Sequence, residues 1–366
     1  MRALFLIDSP AWSGSSRVFT AVARGLASRG YSVTIVCRPE SAVEQRSASL
    51  GLEVVPVDLD GRFTAAARRL RRVIEDRFVE VVFVHGEREA LVAGWAVRTA
   101  NRGAIVRRAR VEETLTNGWR AKLGARVAAT GFVFPSDDEL RRSPPLPPRA
   151  LGAVLADVGV DVPAFDAIRP APRASFGAAG QNVRVIACVY DPTARARVAT
   201  VFRTIGLLAP RHPELRLVLL GPGSDDEALR MHAAALGITP MVSYLGDRDD
   251  RLAILRAADL GWVVASSDDA AYGYLDLMAL RVPVLADRSD TAQRYVADGI
   301  GGLLLPPGDA PGTAAIVTTF LADAERREAM GNAAYGRVAR AFTERAMVDA
   351  FARVTDAARD RSRWVT

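Results

Sequence analysis

Residues 260–286, LGWVVASSDDAAYGYLDLMALRVPVLA, hold the pattern that decides the fold. The runs Leu260–Val264 and Val282–Ala286 are short, apolar and bounded by small or polar residues, which predicts two buried strands. Between them, Tyr272–Leu280 has the apolar spacing of a helix. A strand, a helix and a second strand in succession predict a βαβ unit with parallel strands.

The same alternation of strands and helices extends over most of the chain. The further predicted strands are Phe5–Ile7, Tyr31–Cys37, Leu52–Pro56, Val79–Val84, Gly103–Val106, Gly131–Phe134, Val183–Val189, Leu215–Leu220 and Val242–Leu245. The predicted helices between them are Arg17–Arg29, Gly86–Thr99, Arg195–Leu208, Asp225–Leu236 and Arg251–Ala258. Such alternation is typical of the α/β class with doubly wound parallel sheets.

The proline-rich run Ser143–Arg149 (SPPLPPR) interrupts this alternation and predicts a loop near the end of a first domain. We therefore predict two Rossmann-like domains, 1–170 and 171–344, joined near residue 170. Ligands of open α/β sheets bind outside the carboxyl ends of the strands, so we expect the site in a cleft between the two domains.

Composition restricts the class of protein. The chain has 366 residues, of which 49% are hydrophobic and 25% charged, which excludes a disordered or fibrous protein. We find no apolar run long enough for a membrane span, and the opening MRALFLIDSP does not resemble a signal peptide. Only Cys37 and Cys188 occur, one in each half, which predicts buried thiols rather than a disulfide framework. These features predict a cytoplasmic protein.

The positive charge lies in the first half. Residues 1–170 carry 25 basic and 19 acidic side chains, whereas the remainder carries 23 of each. A basic domain attracts phosphates or acidic lipid. The helix predicted around Arg62–Arg77 (RFTAAARRLRRVIEDR) either rests on an anionic membrane surface or presents a solvated arginine face. Without aromatic residues among the basic ones we expect no nucleic-acid partner.

Two loops with small residues follow predicted strands and precede helices. The first contains Ser13, Gly14 and Ser15, and the second contains Gly221 and Gly223. Main-chain N–H groups at the start of a helix can bind an anion such as phosphate. The alternatives are an ordinary helix cap in the first loop and a plain turn in the second.

Asp268 and Asp276 are the most distinctive polar residues. Asp268 follows the strand Leu260–Val264 in a predicted loop, and Asp276 lies within the next helix. Carboxylates in such places can accept hydrogen bonds from sugar and ribose hydroxyls. The alternative is that Asp268 and Asp269 cap the helix and that Asp276 is a surface acid.

Among the three histidines, His85 is the candidate for function, because it directly follows the strand Val79–Val84. His212 lies in a predicted surface turn and His232 among helical alanines, so both are expected to be structural or solvated. No histidines or cysteines stand at metal-ligand spacing, and we therefore expect no metal site.

Several segments, in order, resemble the retaining glycosyltransferases of family 4, which have the GT-B fold of two Rossmann-like domains facing across a cleft. The resembling segments are SGSSRVFTAVARGLASRGYSVTIV at 13–36, Gly159–Asp161 with Phe165, LRLVLLGPGSDDEALRMHAAALGI at 215–238, VSYLGDRDD at 242–250, YLDLMALRVPVLA at 274–286, VADGIGGLLLPPGD at 296–309 and RREAMGNAAYGRVARAFTERAMVDAFARV at 326–354. The resemblance implies a first domain that binds the acceptor and a second that binds a UDP-, GDP- or ADP-sugar. It also implies that a helix at about 345–366 packs back onto the first domain.

The resemblance assigns roles residue by residue. Asp268 and Asp276 stand where the family has two glutamates separated by seven residues, implying contacts with the donor sugar and the ribose. The other implied donor-binding residues are Ser13, Gly14, Ser15, Gly221, Gly223, Tyr244, Gly246, Asp247, Asp269, Ala270, Ala271 and Tyr272, with Tyr244 to Asp247 beside the base. His85 is the nearest match to a sugar-contacting histidine; the alternative is that the family's histidine aligns near Arg107–Arg110, where this chain has none.

The chain departs from the family where the donor diphosphate is bound. Val189 and Ala194 replace an arginine and a lysine that usually neutralise the leaving group, so we expect Arg195 or Arg197 to substitute for them. The chain is therefore identified as a divergent member.

The predicted function is transfer of a sugar from a nucleotide-sugar donor to a hydroxyl on a glycan or lipid-linked acceptor, in cell-envelope glycan or glycolipid synthesis. Asp268, His85 and Arg195 are the implied catalytic residues, and no metal or other cofactor is expected. The expected location is cytoplasmic and peripheral at the inner membrane face. The alternative is a catalytically inactive GT-B scaffold that binds a partner, and a minor one is a nucleotide-sugar epimerase.

Overall fold

The computed structural model describes residues 1–115, 130–147, 150–180 and 182–359. The chain forms two compact units. Unit 1 contains Met1–Gly159 together with Glu344–Thr366, and unit 2 contains Val160–Thr343. Each unit is built around its own parallel sheet.

The described residues of unit 1 form a seven-stranded parallel sheet in the order β3-β2-β1-β4-β5-β6-β7. Its strands are β1 (Arg2–Ile7), β2 (Ser32–Cys37), β3 (Glu53–Pro56), β4 (Val81–Val84), β5 (Ala104–Arg108), β6 (Thr130–Phe134) and β7 (Gly152–Leu155). The helices are α1 (Gly14–Ala27), α2 (Ala42–Ser49), α3 (Phe63–Asp76), α4 (Glu87–Thr99) and α5 (Asp137–Arg142), with a C-terminal helix described below. The central strands β1 and β4 are buried almost completely, as expected of a sheet covered on both faces.

The sheet of unit 2 has six parallel strands in the order β10-β9-β8-β11-β12-β13. They are β8 (Arg184–Tyr190), β9 (Leu215–Leu220), β10 (Val242–Tyr244), β11 (Leu260–Val264), β12 (Val284–Asp287) and β13 (Gly302–Leu305). The helices of the unit are α6 (Val162–Asp166), α7 (Arg195–Leu208), α8 (Glu227–Ala235), α9 (Arg251–Arg256), α10 (Ser267–Ala279), α11 (Asp290–Tyr295), α12 (Ala310–Ala322) and α13 (Ala324–Ala341).

Both sheets reverse their strand order at one place. In unit 1 the chain builds outward from β1 through β2 to β3 and then returns to the other side of β1 with β4; in unit 2 the reversal lies between β8 and β11. The connections that leave the two strands at such a reversal run to opposite sides, which leaves a crevice at their carboxyl ends. The fold therefore places one candidate crevice in each unit.

The predicted α/β class with two doubly wound sheets is confirmed, and the two cysteines are buried free thiols as expected. Burial raises the pKa of the Cys37 thiol to about 11 and that of Cys188 to about 12, so both stay protonated at neutral pH. The sequence patterns did not predict β7 and β13. Their sequences, GAVL in β7 and GLLL in β13, are only four residues long and lie beside turns or prolines, so the apolar run is too short to indicate a strand.

The predicted domain boundary near residue 170 is wrong, because the structure places it after Gly159. Val160 pairs with Thr343 in a parallel bridge, which ties the start of the connecting segment to unit 2. Asp166 of α6 accepts hydrogen bonds from Arg281 (3.1 Å) and from the Tyr335 hydroxyl (2.7 Å), both in unit 2. These contacts are long-range in sequence, so composition could not reveal them.

The last helix, α14 (Glu344–Arg359), packs on α1 of unit 1. Glu344 forms an ion pair with Arg24 at 2.9 Å, and Asp356 accepts a hydrogen bond from the Tyr31 hydroxyl at 2.9 Å. Gly25 makes the close approach possible, since a Cβ there would lie 2.5 Å from a methyl group of Val348. Helices α1 and α14 therefore belong to the same unit, although they are more than 300 residues apart.

Helix α10 lies against the sheet and against α13 of unit 2 at unusually short distances. Gly261 in β11 leaves room for Leu277, and Gly273 in α10 leaves room for Val263 and Val189. A Cβ on Gly331 of α13 would lie 2.1 Å from the Arg281 carbonyl oxygen, directly after α10. Glycine at these positions allows α10 to be buried along its length.

We expect Gly331→Ala to lower the free energy of unfolding by about 1–3 kcal/mol, because the new methyl group meets a backbone oxygen that cannot turn away. Gly206→Ala in α7 is the matched control: its Cβ would meet nothing closer than 3.8 Å, and alanine should stabilise that helix by about 0.5–1 kcal/mol. Urea denaturation of both variants measures the difference. Equal stability of the two would contradict the close packing of α13 on α10.

Candidate active site

The crevice of unit 1 is lined by the loop after β1 and by the residues after β4. Ser13 caps α1 and accepts a hydrogen bond from the Ser16 amide at 3.4 Å; Gly14 is buried and Ser15 is partly exposed. His85 Nε2 lies 3.2 Å from the Ser15 carbonyl oxygen, and its ring stacks on Phe19 with centroids 3.7 Å apart. The structure thus brings His85 beside the loop that contains Ser13, Gly14 and Ser15, although it lies 70 residues after Ser15.

Glu89 of α4 links the two central strands of unit 1. Its carboxylate accepts hydrogen bonds from the amides of Asp8 (3.1 Å), His85 (2.9 Å) and Gly86 (2.8 Å). Loss of hydration raises the pKa of Glu89 above its ordinary 4.5, while the three N–H donors act in the opposite direction. The side chain therefore fixes the end of β1 and the backbone of His85 at once.

Charged side chains surround this crevice. Asp8 forms ion pairs with Arg38 (2.8 Å) and with Arg88 (3.6 Å), and Arg38 also pairs with Asp60 at 2.9 Å. Arg107 of β5 is buried and donates to the His85 carbonyl oxygen at 3.3 Å. Alternating carboxylates and guanidinium groups can bind both the hydroxyl groups and the phosphates of a ligand.

In unit 2, the loops after β9 and β10 are joined through one serine. The Ser224 hydroxyl donates to the Leu219 carbonyl oxygen at 3.3 Å and accepts from the Gly246 amide at 3.0 Å, and the Gly221 amide donates to the Gly246 carbonyl oxygen at 2.9 Å. Gly221 has a φ of 132°, and a Cβ there would lie 2.1 Å from the Tyr190 carbonyl oxygen. This turn requires glycine.

The remaining residues expected beside a donor base have different environments. Tyr244 packs on α8, where the Arg230 guanidinium carbon lies 4.6 Å from its ring centroid and its hydroxyl lies 3.5 Å from the Leu229 carbonyl oxygen. Asp247 and Gly223 are exposed, while Gly246 is buried. The structure places Gly221, Gly223, Gly246 and Asp247 at the carboxyl ends of β9 and β10.

Helix α10 begins at Ser267, so the prediction that Asp268 lies in a loop is wrong. Ser266 is extended and precedes the first turn, which places Asp268 inside that turn. Ala270, Ala271 and Tyr272 follow on the helix and are buried, while Asp269 is partly exposed. The helix therefore begins five residues before Tyr272, where the apolar spacing predicts its start.

The alternative that Asp276 is a surface acid is also wrong. Both Asp268 and Asp276 are fully buried. Asp276 forms an ion pair with Arg251 at the start of α9 at 3.3 Å, and the Arg251 side chain is 27% exposed. A buried carboxylate needs such a partner because burial without one is costly.

The crevice between β8 and β11 contains the positions where the family's cations are missing. Val189 and Ala194 are both buried in the core. Arg195 is directed to the exposed side, where it forms an ion pair with Asp226 at 3.0 Å. Arg197 Nη2 donates instead to the Ala265 carbonyl oxygen (2.8 Å) and to the Ser266 hydroxyl (2.7 Å), across the crevice.

Sequence reasoning missed Glu89, Arg107 and Arg251. A capping pattern could have revealed Glu89, since it stands three residues after Gly86 at a helix start. Arg107 lies within an apolar strand, which is itself a signal because arginine is rarely buried without a partner. Arg251 has no comparable signal, because its importance comes from Asp276, which is 25 residues away.

Two family models match the chain. "Glycosyl transferase 4-like domain" matches residues 13–143, and "Glycosyl transferases group 1" matches residues 179–337. The first range contains Ser13–Ser15 and His85, and the second contains Val189, Asp268 and Asp276. The chain belongs to the family 4-like glycosyltransferases with the GT-B fold.

Named relatives are also glycosyltransferases. The lipopolysaccharide core biosynthesis glycosyltransferase LpsE of Rhizobium meliloti is 29% identical over 150 residues, which cover 41% of this chain and 44% of that protein. The phosphatidyl-myo-inositol mannosyltransferase of Mycobacterium leprae is 24% identical over 332 residues, covering 84% of this chain and 83% of that protein. Neither comparison supports an inactive scaffold.

A solved structure confirms the fold over almost the whole chain. The Anabaena protein Alr3699/HepE, crystallised with UDP and glucose, superposes with a TM-score of 0.81 over 98% of this chain and 100% of that one. The two sequences are 16% identical, so the likeness concerns the fold alone. Within the part of the chain that the structure describes, no helix is long and apolar enough to cross a membrane.

Replacing Glu89 tests the link between the two strands of unit 1. Glu89→Ala leaves three amides without their carboxylate acceptor, and we expect the free energy of unfolding to fall by about 1–3 kcal/mol. Glu89→Gln keeps an acceptor oxygen and should lose less. Denaturation of the two variants beside the unaltered protein measures this order, and an alanine variant as stable as the glutamine variant would contradict it.

Proposed function

We propose that the protein is a retaining glycosyltransferase that transfers a sugar from a nucleotide-sugar donor to a hydroxyl group of a glycan or lipid-linked acceptor, in cell-envelope glycan or glycolipid synthesis. The observation that carries this proposal is the pair of buried carboxylates, Asp268 and Asp276, on the helix that follows the central strand β11 in a chain matched by both glycosyltransferase models. Their spacing is that of the family's two acids.

The donor site is assigned to unit 2. Supporting it are the crevice between β8 and β11 and the serine-linked turns at the ends of β9 and β10. Solved structures of the same fold contain UDP or UDP-glucose, while a Mycolicibacterium smegmatis relative, 26% identical over 310 residues, is named as GDP-mannose-dependent. We therefore propose a UDP-, GDP- or ADP-sugar as donor.

In the proposed reaction the bond between the anomeric carbon and the donor diphosphate breaks, and a bond from that carbon to the acceptor oxygen forms on the same face of the sugar. The acceptor hydroxyl proton passes to a phosphate oxygen of the donor, and the products are the glycoside and a nucleoside diphosphate. The proposal assigns the charge of the leaving group to arginine and main-chain N–H groups rather than to a metal ion.

The burial of the two acids adds a requirement to this proposal. Neither Asp268 nor Asp276 has exposed surface, so Asp268 must be uncovered before it can contact a donor sugar. Asp276 can act without being uncovered, because it holds Arg251, which is partly exposed. We propose that the expected ribose contact involves this ion pair.

The acceptor is assigned to unit 1. His85 and the ion pairs of Asp8, Arg38 and Arg88 supply hydrogen-bonding groups of both charges at its crevice. Relatives are named for action on phosphatidyl-myo-inositol and on the lipopolysaccharide core. An acceptor bearing phosphate suits the excess of positive charge in this half of the chain.

The experiment that tests the donor site is calorimetric titration with UDP, GDP and ADP, followed by their sugar conjugates. We expect one nucleotide to bind, and Asp276→Ala to weaken its binding about 10-fold or more, since the variant releases Arg251. Glu328→Gln, an exposed carboxylate on α13, is the control and should bind normally. Absence of binding at millimolar nucleotide would overturn the proposal and favour a non-catalytic binding protein.

We also propose that the protein works at an anionic membrane surface, at the cytoplasmic face. Arg68 and Arg72 stand one turn apart on α3, both exposed, and neither has an ion-pair partner among the described residues. Phe63 at the start of α3 and Trp95 on α4, which are 37% and 45% exposed, contact each other edge to face. Cationic and aromatic side chains together suit the lipid interface.

For this surface we expect Arg68→Gln/Arg72→Gln to reduce binding to phosphatidylserine-containing vesicles about 10-fold or more, since each arginine near such a surface contributes about 1 kcal/mol. The control is Arg203→Gln/Arg326→Gln in unit 2, which removes the same charge elsewhere. Vesicle sedimentation measures both, and an equal loss in the two variants would refute a specific surface on α3.

A further inference from the structure

We infer that Arg197, rather than Arg195, is the residue of this chain that binds the anionic diphosphate of the donor. The inference rests on the proposed function and goes beyond it, since it names the cation that the chain uses where Val189 and Ala194 supply none. It follows from the position of Arg197 between two strands, from its hydrogen bonds and from the charges around it.

Arg197 bridges the place where the order of strands reverses in unit 2. It lies in the first turn of α7, which follows β8, yet its Nη2 donates to the Ala265 carbonyl oxygen and the Ser266 hydroxyl, which follow β11. A ligand in that crevice would lie beside this side chain. The guanidinium also connects α7 to the start of α10, one residue before Ser267.

The guanidinium retains capacity to bind an anion. Its hydrogen bonds use Nη2 alone, and Nε and Nη1 have no hydrogen-bond partner in the described ranges of the chain. The side chain is partly exposed, and neither atom is buried without a partner. A planar guanidinium with donors left over can bind two oxygens of a phosphate at once, which a point charge cannot.

Arg195 is a poorer candidate although it is only two residues away. Its guanidinium is engaged by Asp226 at 3.0 Å, and about half of its side chain is exposed. A ligand phosphate would have to compete with that carboxylate. Asp226 also caps α8 by accepting from the Ala228 amide at 2.8 Å, so the ion pair has a structural role of its own.

Asp287, at the end of β12, is an acidic group close enough to Arg197 for their charges to interact. Loss of hydration raises the pKa of Asp287, and the positive charge of Arg197 lowers it. This carboxylate forms no hydrogen bond or ion pair with Arg197 among the described residues. Arg197 is therefore positioned by a carbonyl and a hydroxyl oxygen, while its charge is left to attract the ligand.

The test separates the diphosphate from the rest of the nucleotide. Titration calorimetry would be run on the full chain with UDP, GDP and ADP, with the matching nucleosides, and with inorganic pyrophosphate. We expect Arg197→Gln to weaken binding of the nucleotide and of pyrophosphate about 10- to 100-fold and to leave the nucleoside unchanged, because a charge-assisted hydrogen bond is lost. Arg197→Lys, which keeps the charge but not the planar group, should lie between.

Arg203→Gln is the matched control, since Arg203 is exposed on the same helix and donates only to Ala199 and Thr200 within it. Equal nucleotide affinity of Arg197→Gln and the unaltered protein would overturn the inference and leave the donor site standing. An equal loss for nucleoside and nucleotide would also overturn it, since Arg197 would then act only by holding the loop. If the unaltered protein binds no nucleotide, the proposed function and the inference fall together.

Discussion

The reversal of strand order at the centre of each sheet is the constraint on which the rest of the structure depends. It separates the connections that leave β1 and β4, and those that leave β8 and β11, and it leaves a crevice at the carboxyl ends of these strands that polar contacts cross. In unit 1, Glu89 supplies one by accepting from the amides of Asp8 and His85. In unit 2, the Asp191 amide donates to the Val264 carbonyl oxygen at 3.0 Å, and Arg197 adds a second link. The same side chains that hold each crevice together also line it.

Close packing of α10 determines the chemistry that unit 2 can present. Glycines at 261, 273 and 331 allow the helix to approach the sheet and α13 so closely that nearly all its side chains are buried. Two of those side chains are carboxylates, and their burial without compensation would be costly. The positive charge of Arg251 compensates the buried negative charge of Asp276. Arg251, at the start of α9, is therefore part of the candidate site. Asp268 and Asp276 have shorter side chains than the family's glutamates, which is compatible with the close packing of α10.

The missing cations of the family pattern have a structural explanation. Ala194 belongs to the core around β8 and α7, and Val189 lies against the space that Gly273 leaves open. A long cationic side chain at either position would have to leave that core to reach a ligand. Arg197, one turn further along α7, reaches the crevice from a partly exposed position instead. In the proposed donor site, the divergence therefore changes which residue carries the charge and preserves the place where a charge is available.

The sequence by itself determined the fold class, the strands at the centre of both sheets and the neighbourhood of the site, because apolar periodicity and small-residue loops are local signals. Only the tertiary structure decided that Asp268 lies inside α10, that Asp276 is paired with Arg251, and that the unit boundary follows Gly159. It also distinguished Arg195 from Arg197, which the sequence presents as near-equivalent neighbours. The environments of Asp276, Arg195 and Arg197 depend on partners 25 or more residues away, and ion pairs and hydrogen bonds between such distant residues arise only when the chain has packed.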